Sequence, residues 1–176
     1  MVGGKQDALA AFEELYQAHG ARLKSLACNL LGNVADAEDA VQDAFLKAYR
    51  GWGGFKGGAS PSTWLYRILV NSCYDAGRRR KRRREDASCQ APLELRPAAG
   101  RDHPLRLTLE AALERLGERQ RTVFLLAEVE GFTHREIASI LEIAEGTSKH
   151  DLFAAKRELR RELRGTRLAS RSEAEA

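Results

Sequence analysis

The sequence has few of the residues that build covalent or metal-held frameworks. Its 176 residues include only three cysteines, Cys28, Cys73 and Cys89, which lie far apart and form no Cys-x-x-Cys or Cys/His ligand spacing. An odd number of dispersed cysteines indicates neither a disulfide framework nor a zinc site, and is typical of a reducing compartment. The four histidines are equally scattered, and no nucleophile or phosphate-binding loop accompanies them. We therefore expect no enzyme activity, no metal and no cofactor.

Long apolar runs are also missing. No window approaches the roughly 20 apolar residues of a membrane span, and the amino-terminal MVGGKQDALA has no apolar core of signal-peptide length. With 43% hydrophobic and 31% charged residues, the composition is that of a globular protein with a highly charged surface. The sequence predicts a cytoplasmic protein without membrane insertion.

Prolines are few, and three of the four fall between residues 85 and 104, where apolar periodicity stops. This composition predicts a linker. On either side of it, apolar residues recur at steps of three and four, as in amphipathic helices, and strand-like alternation is not seen. The predicted fold is all-α, with two small helical domains at 5–84 and 105–164, a flexible linker at 85–104 and a disordered tail at 165–176.

Three helices are predicted in the first domain. The apolar steps at 9–31 indicate one amphipathic helix or a helix pair, which Gly32 ends. A second helix, at about 35–50, is acidic in its first turns, more so than the helix dipole alone requires. Ser60 and Pro61 are typical of the N-cap and the first residue of a third helix. The side chains that the second helix is predicted to bury are Ala37, Val41, Ala44, Phe45 and Ala48.

A dense block of cations ends the third helix. Seven adjacent residues, from Arg78 to Arg84, are Arg or Lys, and without them the 29 basic residues fall to 22, against 25 acidic ones. The net charge of +4 thus conceals a mildly acidic chain with one local surface for a polyanion. If all seven met DNA phosphates, log affinity would fall with log salt at a slope of about −6. A disordered basic tail to the helix, or a nonspecific tether, is the alternative.

A glycine-rich loop precedes the third helix. Residues 51–60, GWGGFKGGAS, contain five glycines and carry Trp52, Phe55 and Lys56. Aromatic side chains in such a loop can stack on an unpaired base. The alternative is that they fold back onto the core, which loop aromatics do more often.

The second domain contains a predicted helix-turn-helix. Thr133 and Glu136 have the spacing of a capping box, so a helix is predicted to begin at about Thr133. Gly146 and Thr147 are predicted to supply a break and the cap of a second helix. The inward stripe predicted for this second helix is Ser148, Leu152, Ala155 and Leu159. A short helix, a turn and a longer basic helix are typical of a DNA-binding unit, although an ordinary helical hairpin with a solvated charged face has the same pattern.

These motifs resemble the extracytoplasmic-function (ECF) group of bacterial sigma factors, and the resemblance covers nearly the whole chain in order. Region two of the family is matched by 36–45 (DAEDAVQDAF) and 63–68 (TWLYRI), with Asn71, Asp75 and the basic block. Region four is matched by 119–126 (RQRTVFLL), 130–132 (EGF), 136–138 (EIA) and 146–149 (GTSK).

The resemblance implies a sigma factor that binds core RNA polymerase, recognises promoter DNA and has an anti-sigma factor as a probable partner. It places the polymerase-binding surface at Asp39, Gln42 and Asp43. It places recognition and melting of the minus-ten element at Phe55, Lys56, Asn71, Asp75, Arg78 and Arg79. It places reading of the minus-thirty-five element at Lys149, His150 and Phe153, with Lys156 and Arg157 on phosphates.

The linker length favours the same interpretation. A coil of 20 residues spans about 25 Å, from roughly 5–6 Å times the square root of its length. Two DNA elements two helical turns apart are separated by about 70 Å. A large partner must therefore hold the two domains apart, as polymerase would.

Three positions depart from the family pattern. Ser148 stands in the apolar stripe where the family often has Val, and we expect it to loosen the packing slightly. Asp151 and Ala154 stand where the family often has Arg, beside the predicted groove face. Phosphate would repel the acid there, unless it accepts from a cytosine amino group. The alternative function is a stand-alone helix-turn-helix regulator, which would bind duplex DNA tightly without polymerase.

Overall fold

The computed structural model describes residues 3–55, 57–86 and 104–174. Within these ranges the regular elements are all helical, so the predicted all-α class is confirmed. The helices are α1 (Gly3–Leu31), α2 (Val34–Gly51), α3 (Pro61–Asp86), α4 (Pro104–Arg115), α5 (Glu118–Phe124), α6 (His134–Leu141) and α7 (Glu145–Ala174). A 3-10 turn at Trp52–Gly54 follows α2, and a π-helical turn at Leu125–Val129 continues α5. None of these helices is long and apolar enough to cross a membrane.

Contacts divide the chain into two compact units, one built on α1, α2 and α3 and the other on α4, α5 and α7. Most of the predicted linker falls on residues 87–103, outside the described part of the chain.

Local chemistry separates α1 from α2 within two residues. Gly32, at φ +67°, ends α1, and its N–H donates to the carbonyl of Cys28 at 2.9 Å. Asn33 then caps α2, because its side-chain oxygen accepts from the N–H of Asp36 at 3.1 Å. The predicted stop at Gly32 is confirmed, and α1 is one continuous helix rather than a pair.

A stripe of alanines forms the buried face of α2. Ala37, Ala40, Ala44 and Ala48 recur at steps of three and four and are all buried. Small side chains let α2 lie close to α1 and α3, whose buried residues include Leu23, Leu26, Leu65, Tyr66 and Leu69. Val41 and Phe45 were predicted to be buried too, but they are only half-buried, since the alanine stripe places them at its edge.

The start of α3 is capped as the sequence predicts. The backbone N–H of Thr63 donates to Oγ of Ser60 at 3.1 Å, and the two hydroxyls lie 2.7 Å apart. From this start α3 continues as helix to Asp86, so the whole basic block, Arg78 to Arg84, is carried on a helical backbone.

The capping box at the start of α6 is present. The N–H of Glu136 donates to Oγ1 of Thr133 at 3.3 Å, and the N–H of Thr133 donates back to Oε2 of Glu136 at 2.9 Å. Each side-chain oxygen accepts from a backbone N–H that would otherwise have no partner at the helix start. The predicted helix start is therefore confirmed.

The turn before α7 differs from its prediction. Glu142 adopts the left-handed conformation, φ +55°, at the end of α6, and α7 begins at Glu145. Gly146 and Thr147 accordingly lie inside the first turn of α7, and the predicted cap at Thr147 is wrong. A left-handed residue already ends α6, and a lone glycine in a helix costs only about 1 kcal/mol.

The far end of α7 also differs from its prediction. The backbone remains helical to Ala174, whereas a disordered tail was predicted from residue 165. One glycine, Gly165, is a weak breaker, and the Leu, Ala, Arg and Glu residues that follow it favour helix.

Candidate functional site

A polar stripe runs along α3 in the first unit. Asn71 and Asp75 are one helical turn apart, and Nη2 of Arg78 donates to Oδ1 of Asp75 at 2.6 Å. This guanidinium holds the pKa of Asp75 below its ordinary value. The ionised carboxylate only accepts hydrogen bonds, whereas the neighbouring exposed Asn71 both donates and accepts. The stripe thus offers both kinds of group that base edges require.

The basic block is not uniform. Arg80 is half-buried, its Nη1 donates to the carbonyl of Leu31 at 3.2 Å, and it lies 3.6 Å from Oδ2 of Asp36. It therefore ties α3 to the end of α1 and the start of α2. Its neighbour Arg79 is exposed, as are Arg82 and Arg83. Arg80 is thus engaged in contacts within the first unit, unlike the exposed cations of the block.

The aromatic residues of the glycine-rich loop fold against one another. Phe55 stacks nearly parallel to Trp52, with ring centroids 5.7 Å apart, and lies 5.2 Å from the ring of Trp64. Phe55 remains half-buried, so part of its ring is accessible beside the start of α3. Lys56 lies outside the described residues.

The acidic surface of α2 contains two different environments. Asp39 and Gln42 are exposed. Asp43 is half-buried, bridges to Nζ of Lys47 at 2.7 Å and accepts from the hydroxyl of Ser72 at 3.4 Å. Asp43 thus belongs partly to the packing of α2 on α3, while Asp39 and Gln42 face solvent.

An apolar groove between α1 and α2, with a volume of about 730 Å³, was missed by the sequence reasoning. Three of its large side chains, Tyr16, Leu46 and Tyr49, are more than half exposed. Gln42 forms part of its wall, so the groove adjoins the predicted polymerase-binding surface. The available signal was that Leu46 and Tyr49 are large apolar residues off the alanine stripe. The groove is lined by Phe12, Glu13, Tyr16, Gln17, Val41, Gln42, Phe45, Leu46 and Tyr49.

The predicted minus-thirty-five residues lie on α7 in the second unit. Lys149, His150, Phe153 and Arg157 are exposed, and Phe153 is 62% exposed, which is unusual for so large an apolar side chain. Steps of four residues place Lys149, Phe153 and Arg157 on one face. Lys149 pairs with Glu145 at 2.8 Å, and half-buried Lys156 pairs with Glu128 at 2.8 Å.

Asp151 does not lie where the sequence predicted. Its side chain is only 3% exposed, and Nε of Arg119 donates to its Oδ2 at 2.6 Å. It belongs to the inward stripe of α7 with Ser148, Ala155 and Leu159, all of which are buried. The expected repulsion between Asp151 and phosphate at the groove face is therefore wrong, because the carboxylate faces α5.

Comparison with known proteins assigns both units. Residues 15–83 match the family Sigma-70 region 2, and residues 106–159 match the family Sigma-70, region 4. The two matches lie in the same order as the two compact units.

Similar proteins extend along most of the chain. The ECF RNA polymerase sigma factor SigM of Mycobacterium tuberculosis is 38% identical over 154 residues, which cover 86% of this chain and 76% of SigM. The ECF RNA polymerase sigma factor SigW of Bacillus subtilis is 30% identical, covering 92% of this chain and 91% of SigW. Among solved structures, the sigma factor RpoE of Bartonella quintana, in complex with the anti-sigma factor NepR, has a TM-score of 0.75 and 28% identity, and the match covers 88% of this chain and 97% of RpoE.

Proposed function

We propose residue roles for a chain that belongs to the extracytoplasmic-function group of RNA polymerase sigma factors. It is a noncatalytic subunit that directs core RNA polymerase to promoters, and it is not an enzyme. The observation that carries the assignment is the presence of both region 2 and region 4 in one chain and in family order. A stand-alone helix-turn-helix regulator would not need the first of these.

Each domain has its own role in this proposal. The first domain, residues 5–84, binds polymerase and recognises and melts the minus-ten element. The second, residues 105–164, recognises the minus-thirty-five element, and residues 85–104 link the two. The protein acts in the cytoplasm, where polymerase and the chromosome are. We assign no role to residues 165–176.

Asp39, Gln42 and Asp43 form the polymerase-binding surface, and its partner is the clamp coiled coil of core polymerase. Two features of the first unit support this. Asp39 and Gln42 are exposed, and the apolar groove that Gln42 borders has the dimensions and chemistry to take the apolar face of a helix. Asp43 bonds to Lys47 and to Ser72 of α3, and so helps to hold α2, which carries Asp39 and Gln42, against α3.

Phe55, Lys56, Asn71, Asp75, Arg78 and Arg79 bind the minus-ten element. Melting requires that a base which has left the stack be captured, at a cost of a few kcal/mol. The half-buried Phe55, beside Trp52 and Trp64, offers an aromatic surface for that base. Asn71 suits an adenine edge, and Arg78 and Arg79 suit guanine or phosphate.

Lys149, His150 and Phe153 read the minus-thirty-five element in the major groove. The exposed ring of Phe153 suits the methyl group of thymine, which is the apolar feature of that groove. Lys156 and Arg157 contact phosphates, which position the helix without reading sequence.

An anti-sigma factor is a further partner. The solved Bartonella quintana relative is in complex with one, and its similarity covers most of this chain.

Reconstituted transcription tests the function. Core polymerase should initiate from a promoter fragment selected by the holoenzyme only when this chain is added. Tight, specific duplex binding by the chain alone, with no polymerase complex in gel filtration, would contradict the sigma assignment. That result would support the alternative function of a stand-alone regulator.

A further inference from the structure

The polar stripe of α3 continues past the proposed minus-ten residues into the basic block. Asn71, Asp75, Arg78 and Arg82 follow one another at steps of four, three and four. At about 100° per helical residue, the four lie within about 60° of one another around the helix. Arg82 is exposed, as are Asn71 and Arg78. Arg82 is thus a fourth member of the stripe, and the proposed function gives it no role.

The opposite face of α3 is the one that packs. Arg80 points about 160° away from Arg82, and its Nη1 donates to the carbonyl of Leu31 at 3.2 Å. Cys73, which points about 180° away from Arg82, is buried. The stripe therefore faces away from the core of the first unit, and Arg82 lies on the side that a ligand can approach.

The charges along the stripe favour a phosphate as the ligand of Arg82. Asp75 accepts from Arg78 at 2.6 Å and offsets part of the charge of that guanidinium, whereas Arg82 lies a further turn along the helix. Arg78 and Arg82 are like charges four residues apart, a spacing at which their repulsion destabilises a helix. A phosphate beside Arg82 relieves that repulsion, and a charge-assisted bond to its oxygen requires no particular base.

The length of the linker favours one direction for α3 on DNA. α3 ends at Asp86, and residues 87–103 connect it to α4 of the second unit. That segment reaches at most about 60 Å when fully extended, whereas the minus-ten and minus-thirty-five elements are about 70 Å apart. We therefore expect the carboxyl end of α3 to point upstream, towards the minus-thirty-five element. Arg82 is about 6 Å further along α3 than Arg78, which corresponds to about two base pairs.

We propose that Arg82 is a further DNA contact of this sigma factor, to a backbone phosphate of the duplex that adjoins the minus-ten element on its upstream side. This inference rests on the proposed assignment of α3 to the minus-ten element. The stripe then spans the junction between closed and opened DNA. Asn71 meets the opened bases, and Arg82 holds the closed duplex beside them, which fixes the upstream edge of the opened segment.

The salt dependence of binding to two DNA probes tests this contact. A promoter is selected from a random library by the wild-type holoenzyme, and permanganate reactivity maps its opened segment. The first probe is that segment as a single strand. The second adds about one helical turn of upstream duplex, which is too short to include the minus-thirty-five element. On the second probe, Arg82→Ala should make the slope of log holoenzyme affinity against log KCl shallower by about 0.9, and on the first it should leave the slope unchanged.

Two substitutions serve as controls. Arg83→Ala removes the same charge from the next exposed residue, which points about 100° away from Arg82, and should leave both slopes at their wild-type values. Arg82→Lys keeps the charge and should keep the wild-type slope on the second probe. Circular dichroism checks that each variant is folded, which we expect because alanine and lysine favour helix at an exposed position.

The outcomes separate this contact from the proposed function. A wild-type slope for Arg82→Ala on the second probe overturns the contact. A loss of slope on both probes also overturns it, because Arg82 would then bind the opened strand, and so does an equal loss in Arg83→Ala, because the block would then act as diffuse charge. Asn71→Ala should weaken binding of the first probe. If it does not, the assignment of α3 to the minus-ten element fails, and the inference fails with it.

Discussion

The hydroxyl of Ser148 lies 2.9 Å from Nδ1 of His134, so a fully buried position of α7 is bonded to the first residue of α6. The sequence predicted that a serine in this apolar stripe would loosen the packing. The hydroxyl instead has a partner, which offsets the cost of burying it. A hydrogen bond at this point fixes how the two helices of the helix-turn-helix meet.

Removal of this bond should weaken the helix-turn-helix. Ser148→Ala is expected to lower the free energy of local unfolding of α6 and α7 by about 1 kcal/mol, the typical net contribution of one hydrogen bond. The measurement is hydrogen exchange of the amides of α6 and α7. In a double-mutant cycle with His134→Ala, the two losses should not add, since they remove the same bond. Additive losses would show that the two side chains act separately.

Arg119 and Arg115 should differ sharply in their contribution to stability. Arg119→Ala leaves the carboxylate of Asp151 buried without its charged partner, and we expect a loss of about 3–5 kcal/mol. Arg115→Ala breaks a pair whose arginine is mostly exposed, and about 1 kcal/mol or less should be lost. Urea denaturation followed by circular dichroism measures both. Similar losses for the two variants would show that the buried Asp151 carboxylate does not depend on Arg119.

Most signals that act within four residues could be predicted from the sequence, although the cap expected at Thr147 was wrong, and those that depend on distant partners could not. Gly32, Ser60 and the Thr133 capping box satisfy backbone groups next to them, so their residue types are sufficient evidence. Asp151 looked like a groove residue because its partner, Arg119, is 32 positions away in the chain. The apolar groove was missed for a related reason. Helical periodicity marks apolar faces of α2, but only the packed structure shows that the alanines are buried and Tyr49 is not.

Cys73 should be almost inert to alkylation in the folded protein. Burial raises the pKa of its thiol from 9.0 to about 12, so very little thiolate is present at pH 8. Cys28 is half-buried and should react before Cys73. Iodoacetamide labelling followed by mass spectrometry should therefore modify Cys73 only after denaturation. Equal labelling rates for Cys28 and Cys73 in the native protein would refute its burial.

The same shift predicts a loss of stability at high pH. The folded-state pKa of Cys73 is raised, so its contribution is fully present below pH 9 and is lost as the pH rises towards 12. Up to pH 10.5 the wild-type chain should lose about 2 kcal/mol more than Cys73→Ala, since each pH unit above 9 corresponds to 1.36 kcal/mol. Urea denaturation at pH 8 and pH 10.5 of both proteins makes the comparison. Parallel changes would show that other groups cause the alkaline loss.

Charge reversal at Asp39 should abolish capture of core polymerase. Asp39→Arg places a cation on the exposed acidic surface of α2 and is expected to leave the fold intact, because the side chain is outside the core. Glu14→Arg is the matched control, since Glu14 is an exposed acid of α1 that does not line the groove. Capture is measured by gel filtration with core polymerase, and circular dichroism checks the fold. Unchanged capture by the Asp39 variant would remove this residue from the proposed surface.

Two neighbouring arginines of the basic block should have opposite roles. Arg80 donates to the carbonyl of Leu31 and lies near Asp36, so Arg80→Ala should lower the free energy of unfolding by about 1.5 kcal/mol. Arg79 is exposed, and Arg79→Ala should change stability by less than about 0.5 kcal/mol. The Arg79 substitution should instead make the slope of log affinity against log salt shallower for holoenzyme on promoter DNA. The change should be about 0.9 if Arg79 contacts duplex and about 0.7 if it contacts the opened strand. Urea denaturation and affinity measured across KCl concentrations separate the two effects. If Arg80→Ala flattens the salt dependence as much as Arg79→Ala does while stability is unchanged, Arg80 is released from Leu31 in the complex and serves as a phosphate ligand after all.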